Sequence, residues 1–323
     1  MNSVATASAF KHNFSRLKAQ PIIVLYAVVF IFILLLMILL PQFRSPQNLS
    51  NILLRALPLL AVAFGQTLVL LGAGIDLSVG AVIALSTTLA SVSLDTSLLG
   101  GILLVFAGGM FVGLFNGLGV TYLRINPFLM TLGTTIITGG VALYIRPYPG
   151  GIIPMSYVNF MLARIGVFPL TPFLLFILLI AIGMIILRKS RFGRHLYAVG
   201  GNKDAARLAG INTNRVLIGT YVFSGFFAAF AGLYMTARIC CGDPGVGAGY
   251  QMDSIAAAVM GGTTLTGGRG TMGGTVMGVI MLAILGNIFN LLNFNIYWQN
   301  ILRGLILIAV VASAQVRLSR GNK

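Results

Sequence analysis

Charged side chains punctuate this chain at long intervals. Between successive charges the sequence falls into uncharged, largely apolar runs at 19–43, 56–75, 77–94, 96–123, 125–145, 165–187, 216–237 and 270–302. A helix crossing a hydrocarbon core needs about 20 apolar residues, so these runs predict eight spans. Two shorter runs add to them. Residues 254–268 read as a short or broken span, and 304–316, extended back through Arg303 to about Tyr297, read as the last. The total is about ten. The uncharged stretch 147–163 is set apart, because Pro147, Pro149, Gly150, Gly151 and Pro154 mark a loop.

Basic residues orient these spans. Residues 188–214 carry Arg188, Lys189, Arg191, Arg194, Lys203 and Arg207 against one acid, Asp204. Lys11, Arg16 and Lys18 precede the first span, and Arg317, Arg320 and Lys323 follow the last. Loops rich in Lys and Arg stay in the cytoplasm. The expected organisation is a cytoplasmic tail at 1–20, spans one to six within 21–187, and a cytoplasmic loop at 188–214. Spans seven to ten then lie within 215–316, with a second cytoplasmic tail at 317–323. The first apolar run, 22–40, is longer than a signal-peptide core and has no small-residue cleavage site, so it reads as a retained span. The fold class is an all-α polytopic membrane protein with both termini cytoplasmic.

Composition agrees. The chain is 58% apolar and 8% charged, with five acids, all aspartate. Soluble proteins carry about 25% charge, so lipid must solvate most of this surface. The net charge of +16 does not indicate nucleic-acid binding, since the basic residues sit between apolar runs. The two cysteines, Cys240 and Cys241, are adjacent and imply no disulfide framework. No His/Cys cluster suggests a metal, and no cofactor motif or catalytic residue is evident. There is no G-x-x-x-x-G-K-[ST] loop, so ATP hydrolysis is not expected of this chain. A proton-driven carrier places ionisable relays within the bundle. Here the inner candidates are Asp76, Asp253, Arg238, Arg269 and Arg303. Their scarcity argues for an energy source on another chain. The competing class is a self-powered secondary carrier or channel for a small polar solute.

Three segments carry the remaining information. In Gly72-Ala73-Gly74-Ile75-Asp76-Leu77-Ser78-Val79-Gly80, glycines interrupt a helix beside a lone acid. Such breaks free backbone groups that can line a transport path. A tight turn with Asp76 capping the next helix is the equally simple alternative. In the second segment Asp253 precedes a small-residue helix and the run Gly261-Gly262-Thr263-Thr264. Asp76 precedes Thr87-Thr88-Leu89 much as Asp253 precedes Thr263-Thr264-Leu265, which raises an internal repeat. Asp76, Ser78, Asp253, Thr263 and Thr264 are therefore candidates for the translocation pathway. The third segment runs from Arg191 to Asn212. Asn202 suits a helix N-cap and Gly210 a helix stop, which predicts a short helix between them. Ala205, Ala206, Leu208 and Ala209 would give it a small apolar face. Such a face can dock in a partner's groove, whereas an ordinary basic loop would lie near anionic lipid.

Taken together, these segments resemble the membrane subunit of bacterial monosaccharide ABC importers: the ribose, xylose, arabinose and galactose permeases, akin to branched-chain amino-acid permeases. The matching residues are Ala73 to Gly80, Tyr197 to Asn202, Arg207 to Asn212, and Asp253 to Ala257 with Gly261-Gly262-Thr263. The similarity runs from about Asn48 to Val311. The resemblance implies a multi-pass protein of the bacterial inner membrane, a cytosolic ABC ATPase, a periplasmic sugar-binding protein and a second permease copy forming a homodimer. It also implies that Gly200, Gly201, Asn202, Asp204, Ala205, Ala206 and Gly210 belong to an ATPase-coupling loop. Asp204 to Gly210 fits the E-A-A-x-x-x-G core of such loops with Asp for Glu, without the usual I-x-L-P continuation. Two positions depart from the family pattern. Gly139 stands where the family commonly has Arg, and Gln251 where it often has Glu.

Overall fold

A computed structural model describes residues 30–308, apart from 32, 36, 296, 303, 306 and 307. The expected terminal tails lie outside the described residues, and the first and last expected spans lie partly outside them. The described residues are almost wholly helical; the extended contacts among them are two isolated bridges, Gly150–Gly242 and Ile165–Phe168. Residues 30–39 are helical where described, and a 3-10 turn, Pro41–Arg44, leads into the bundle. The helices are α1 (Pro46–Leu71), α2 (Val79–Ser93), α3 (Leu98–Thr121), α4 (Pro127–Ile145), α5 (Met155–Met161) and α6 (Leu170–Met184), which continues as a π-turn, Ile185–Lys189. There follow α7 (Arg191–Gly201), α8 (Lys203–Leu208), α9 (Thr213–Ile239), α10 (Tyr250–Met260) and α11 (Met272–Leu291). Residues 297–308 are again helical where described.

Six of these helices are long and apolar enough to cross a membrane: α1, α3, α4, α6 with its π-turn, α9 and α11. Five of the six open on a polar side chain that accepts from the first turn. Ser45, Ser97, Asn126, Asn212 and Thr271 take the backbone N–H of Asn48, Gly100, Phe128, Arg215 and Gly274 at 2.9–3.2 Å. An N-cap of this kind is worth about 1 kcal/mol and fixes where each helix begins.

The centre of the bundle is the antiparallel pair α1 and α9. Tyr234 and Arg238 near the end of α9 reach the carbonyl of Leu54 near the start of α1, while Gly65 lies against Ser224. Phe64 and Phe227 pack edge to face at 4.7 Å between them. α3 lies on α9 with its backbone almost touching. A Cβ on Gly109, Gly113 or Gly117 would meet the α9 backbone at Gly225, Tyr221 or Ile218. In lipid, with no hydrophobic drive between helices, small residues allow this close approach and the dispersion it brings. α11 is fastened to α1 by polar pairs. The Thr67 and Thr275 hydroxyls lie 2.7 Å apart, and the buried amides of Asn48 and Asn287 exchange hydrogen bonds of 3.1 and 2.7 Å. The outer faces of α3, α4 and α6 are apolar and exposed, with Leu103, Phe111, Ile136, Ile137, Leu174 and Leu178 suited to lipid.

Two sequence expectations need correction. The stretch 147–163 is not loop throughout. α5 forms there because Pro154 starts it and Tyr157, buried, donates its hydroxyl to the Leu233 carbonyl of α9 at 2.8 Å. The weak span at 254–268 is helical only as part of α10, which begins earlier, at Tyr250, and ends at Met260.

The α3–α9 contact yields a stability prediction. Gly225→Ala places a methyl group on the Gly109 carbonyl and should cost about 1–3 kcal/mol, as overpacked cores do. Gly133→Ala, on α4 with open space around it, serves as the control. Thermal unfolding in detergent should show a lowered midpoint for the first variant and none for the second.

Candidate functional site

Two stretches of non-helical backbone penetrate this bundle. The first, residues 72–78, joins α1 to α2, and the second, 240–249, joins α9 to α10. α2 and α10 are consequently short, and their N-terminal ends meet. The backbone of Gly247 lies directly on that of Gly80, and the Gln251 side chain reaches the same glycine. A Cβ at either glycine would overlap the facing backbone. The two helices bring the positive ends of their dipoles to one level of the bundle.

Asp76 holds the first break together. Its carboxylate accepts from the Ser78 N–H at 2.9 Å, the Ser78 hydroxyl at 2.6 Å and the Ser224 hydroxyl of α9 at 2.7 Å. With its amide oriented to match donor to acceptor, Gln66 donates to the Asp76 carbonyl at 2.9 Å and accepts from the Asp76 N–H at 3.2 Å. Asn116 of α3 donates to the Ser78 hydroxyl at 2.9 Å, and Thr131 of α4 donates to the Ile75 carbonyl at 3.2 Å. Asp76 and Ser78 are buried, and Gln66 and Asn116 are wholly so. Ser224 sits eleven residues into α9, about 17 Å from its start, so this knot lies deep in the bundle. Ser78, not Asp76, occupies the N-cap position of α2. Asp76 instead braces the turn that delivers Ser78 there.

Asp253 has a different environment. It lies in the first turn of α10 and lines a cavity of about 250 Å³ with Arg55, Arg238, Tyr250 and Phe289, among α1, α9, α10 and α11. Guanidinium and carboxylate groups beside aromatic rings can hydrogen-bond hydroxyls and stack on an apolar face. The structure does not bring Thr263 and Thr264 to this cavity. They follow the C-terminal end of α10, a helix of about 15 Å, with Asp253 at its opposite end. Thr263 is buried beside Gly270, and Thr264 donates to the Gly267 carbonyl at 2.9 Å. The two Asp–Thr motifs also land unequally. Asp76 precedes α2 and Thr87-Thr88 lie within it, whereas Asp253 lies within α10 and Thr263-Thr264 follow it.

The third segment folds as two helices where the sequence indicated one. Ser190 caps α7 through the Gly193 N–H at 3.0 Å. Asn202 ends α7 and caps α8, accepting from the Ala205 N–H at 2.9 Å. Gly210, at φ 81°, stops α8. Gly201, Asn202, Asp204, Ala205, Leu208 and Ala209 are exposed, Leu208 to 90%. Ala206 instead points inward and is buried, so it belongs to the packing of α8 and not to its outer face. Gly200 faces inward against the Leu71 carbonyl. Tyr197, which opens one of the matching motifs but received no role from the sequence, donates its hydroxyl to the Gly270 carbonyl at 2.7 Å. Burial lifts that hydroxyl above the ordinary phenol range, with the charge of Arg188 pulling the other way. The remaining residues missed from sequence are Gln66, Asn116 and Ser224. Each is a polar residue on an apolar helix, which is a signal in itself.

Among known proteins, the chain is 36% identical over 291 residues to the ribose import permease of Bacillus subtilis (strain 168), covering 87% of this chain and 89% of that one. It is 33% identical over 318 residues to the galactose/methyl galactoside import permease of Escherichia coli (strain K12), covering 92% and 94%. The ribose import permease of the same E. coli strain is 35% identical over 286 residues, covering 84% and 86%. No solved structure matches. The family described as the branched-chain amino acid transport system / permease component matches residues 48–311, which takes in both helix breaks, the cavity and the α7–α8 segment. This chain belongs to that permease family.

Proposed function

We propose that this chain is the transmembrane permease subunit of a binding-protein-dependent ABC importer, carrying a monosaccharide, a ribose-like pentose or a hexose, into the bacterial cytoplasm. A separate ABC ATPase hydrolyses the ATP, a periplasmic sugar-binding protein delivers the solute, and a second copy of the permease completes the path in the inner membrane. The similarity to ribose and galactose import permeases over most of the chain supports the solute class. The observation that carries the coupling is α8: a capped helix whose last residue, Leu208, is 90% exposed on a small polar segment. An apolar knob among charges suits a groove on a partner.

In this reading α7 and α8 lie in the cytoplasm, and ATP-driven closure of the ATPase dimer moves them. The path alternates between two openings, as in carriers built around discontinuous helices. Asp253, with Arg55, Arg238 and Tyr250, offers hydrogen bonds to sugar hydroxyls in the outer half. Asp76, Ser78, Thr263 and Thr264 frame the path and keep its two broken helices in place. The six long helices support a polytopic arrangement, and in this reading α2, α10 and the segments at 30–39 and 297–308, helical where described, make up the remaining four of ten passes.

Reconstitution with the partner ATPase and binding protein in liposomes tests the function. Uptake of labelled ribose or galactose should require ATP and loaded binding protein together; uptake down a gradient without ATP would favour a carrier or channel. For coupling, Ala205→Glu and Leu208→Asp should leave the permease inserted but reduce stimulated ATP hydrolysis about tenfold, the loss of roughly 1.4 kcal/mol of docking. Ala206→Glu should instead lower expression, because its side chain is buried. Reporter fusions at Asn214 and at both termini should read cytoplasmic, and fusions at Gly150 and Gly245 periplasmic. The two acids should separate. Asp253→Asn should keep expression and lose uptake. Asp76→Asn should keep much of both, since Asn still accepts from Ser78. Asp76→Ala should lose expression, because unpaired buried donors cost about 1–3 kcal/mol each.

A further inference from the structure

Three segments converge at the end of the bundle that carries α7 and α8. They are the exit of α1 at Leu71, Gly72 and Ala73, the last turn of α7, and the loop 261–271 that follows α10. They touch through backbone, with almost no side chain between. The Gly268 N–H donates to the Leu71 carbonyl at 3.0 Å. A Cβ on Gly200 would overlap that same carbonyl and sit 2.6 Å from the Gly268 nitrogen. One on Gly268 would be 2.9 Å from the Gly201 Cα, and one on Gly267 would be 3.0 Å from both the Gly200 carbonyl oxygen and the Ala73 Cβ. Left-handed backbone at Ala73, Gly267 and Gly268 (φ 60°, 86° and 70°) lets the three chains fit together. Above this contact the Tyr197 hydroxyl bonds the Gly270 carbonyl at 2.7 Å.

The loop itself is braced. The Thr264 N–H and hydroxyl bond the carbonyls of Arg269 and Gly267, each at 2.9 Å, and the Thr263 N–H bonds the Ala258 carbonyl at 3.0 Å. A displacement imposed on the loop therefore reaches α10 without being absorbed in the loop. On the other side, α8 is separated from α7 by Asn202 alone. Side-chain contacts yield by changing rotamer; close-packed backbone held by hydrogen bonds transmits displacement or breaks.

We propose that this backbone joint is the transmission element of the permease, passing movement of α8 through the last turn of α7 to the inner end of α10 and the exit of α1. Tyr197 is its positioning residue, and Thr264 holds the loop stiff enough to follow. The proposal rests on the reading of α8 as the ATPase dock, and adds how the docked motion arrives at both helix breaks. The α1 exit leads within five residues to Asp76, and the braced loop leads directly into the C-terminal end of α10. One rigid contact thus bears on both half-helices.

The test uses the whole importer in liposomes and reads two quantities: ATPase co-purification, and sugar taken up per ATP hydrolysed. Tyr197→Phe keeps the ring and removes the hydroxyl. It should retain the ATPase and its stimulation by loaded binding protein while uptake per ATP falls about fivefold, the low end of ordinary coupling factors. Thr264→Val should lower the same ratio. The double variant should be no worse than the poorer single variant, because both act on one joint. A wild-type ratio in Tyr197→Phe overturns the proposal, as do losses that multiply in the double variant. Loss of ATPase co-purification by Tyr197→Phe also overturns it, since that places Tyr197 in the dock. A wild-type chain that binds no ATPase and takes up sugar without ATP overturns the functional reading, and the joint with it.

Discussion

Backbone that leaves the helix inside an apolar bundle must find every hydrogen-bond partner within the protein. Residues 72–78 meet much of that constraint through one knot. Gln66 pairs with both backbone groups of Asp76, Ser78 and Ser224 donate to its carboxylate, and Asn116 and Thr131 brace the turn. An unpaired peptide group in that position would cost several kcal/mol, so the knot is a condition of the fold. It also explains the packing around it. Ser224 can reach Asp76 because Gly65 lets α1 and α9 approach, and Asn116 can reach Ser78 because Gly109, Gly113 and Gly117 let α3 lie on α9.

The second break answers the first. Residues 240–249 descend beside α2, tied by Thr87, whose hydroxyl bonds the Asp243 carbonyl at 2.9 Å, and by the bridge between Gly242 and Gly150. They end where Gly247 meets Gly80. Two half-helices with facing N-termini form a fixed centre, and each has an aspartate beside its positive end. The acids divide the work by environment. Asp76 is saturated and buried, whereas Asp253 faces a cavity shared with two arginines. In the proposed cycle the centre stays still while the inner ends of α1 and α10, joined to α7, change position.

Much of this was legible in the residues. Uncharged runs located the long helices, Gly72 to Gly80 located the first break, and Asn202 with Gly210 bounded α8, because caps and glycine stops are local chemistry. Long-range contacts set what was not legible. Ser224 is 148 residues from Asp76, so nothing local tells a saturated acid from one lining a cavity. Ala205 and Ala206 are identical in the sequence, yet α8 turns one outward and the other inward. α7 escaped notice because its glycines and charges resemble a loop, and Gly193 and Gly200 owe their places to the backbones they touch. The Thr pairs suggested a common path with Asp253, but the length of α10 separates them.

Hydrogen exchange in lipid nanodiscs tests most directly whether the non-helical backbone is internally satisfied. The Gly74 N–H is bonded to the Val69 carbonyl at 3.0 Å, that of Asp76 to Gln66, and that of Ser78 to the Asp76 carboxylate. These three amides should exchange as slowly as those in the middle of α1, although no helix contains them. Exchange as fast as in the exposed α8 segment would mean that water enters the break, and would contradict the account.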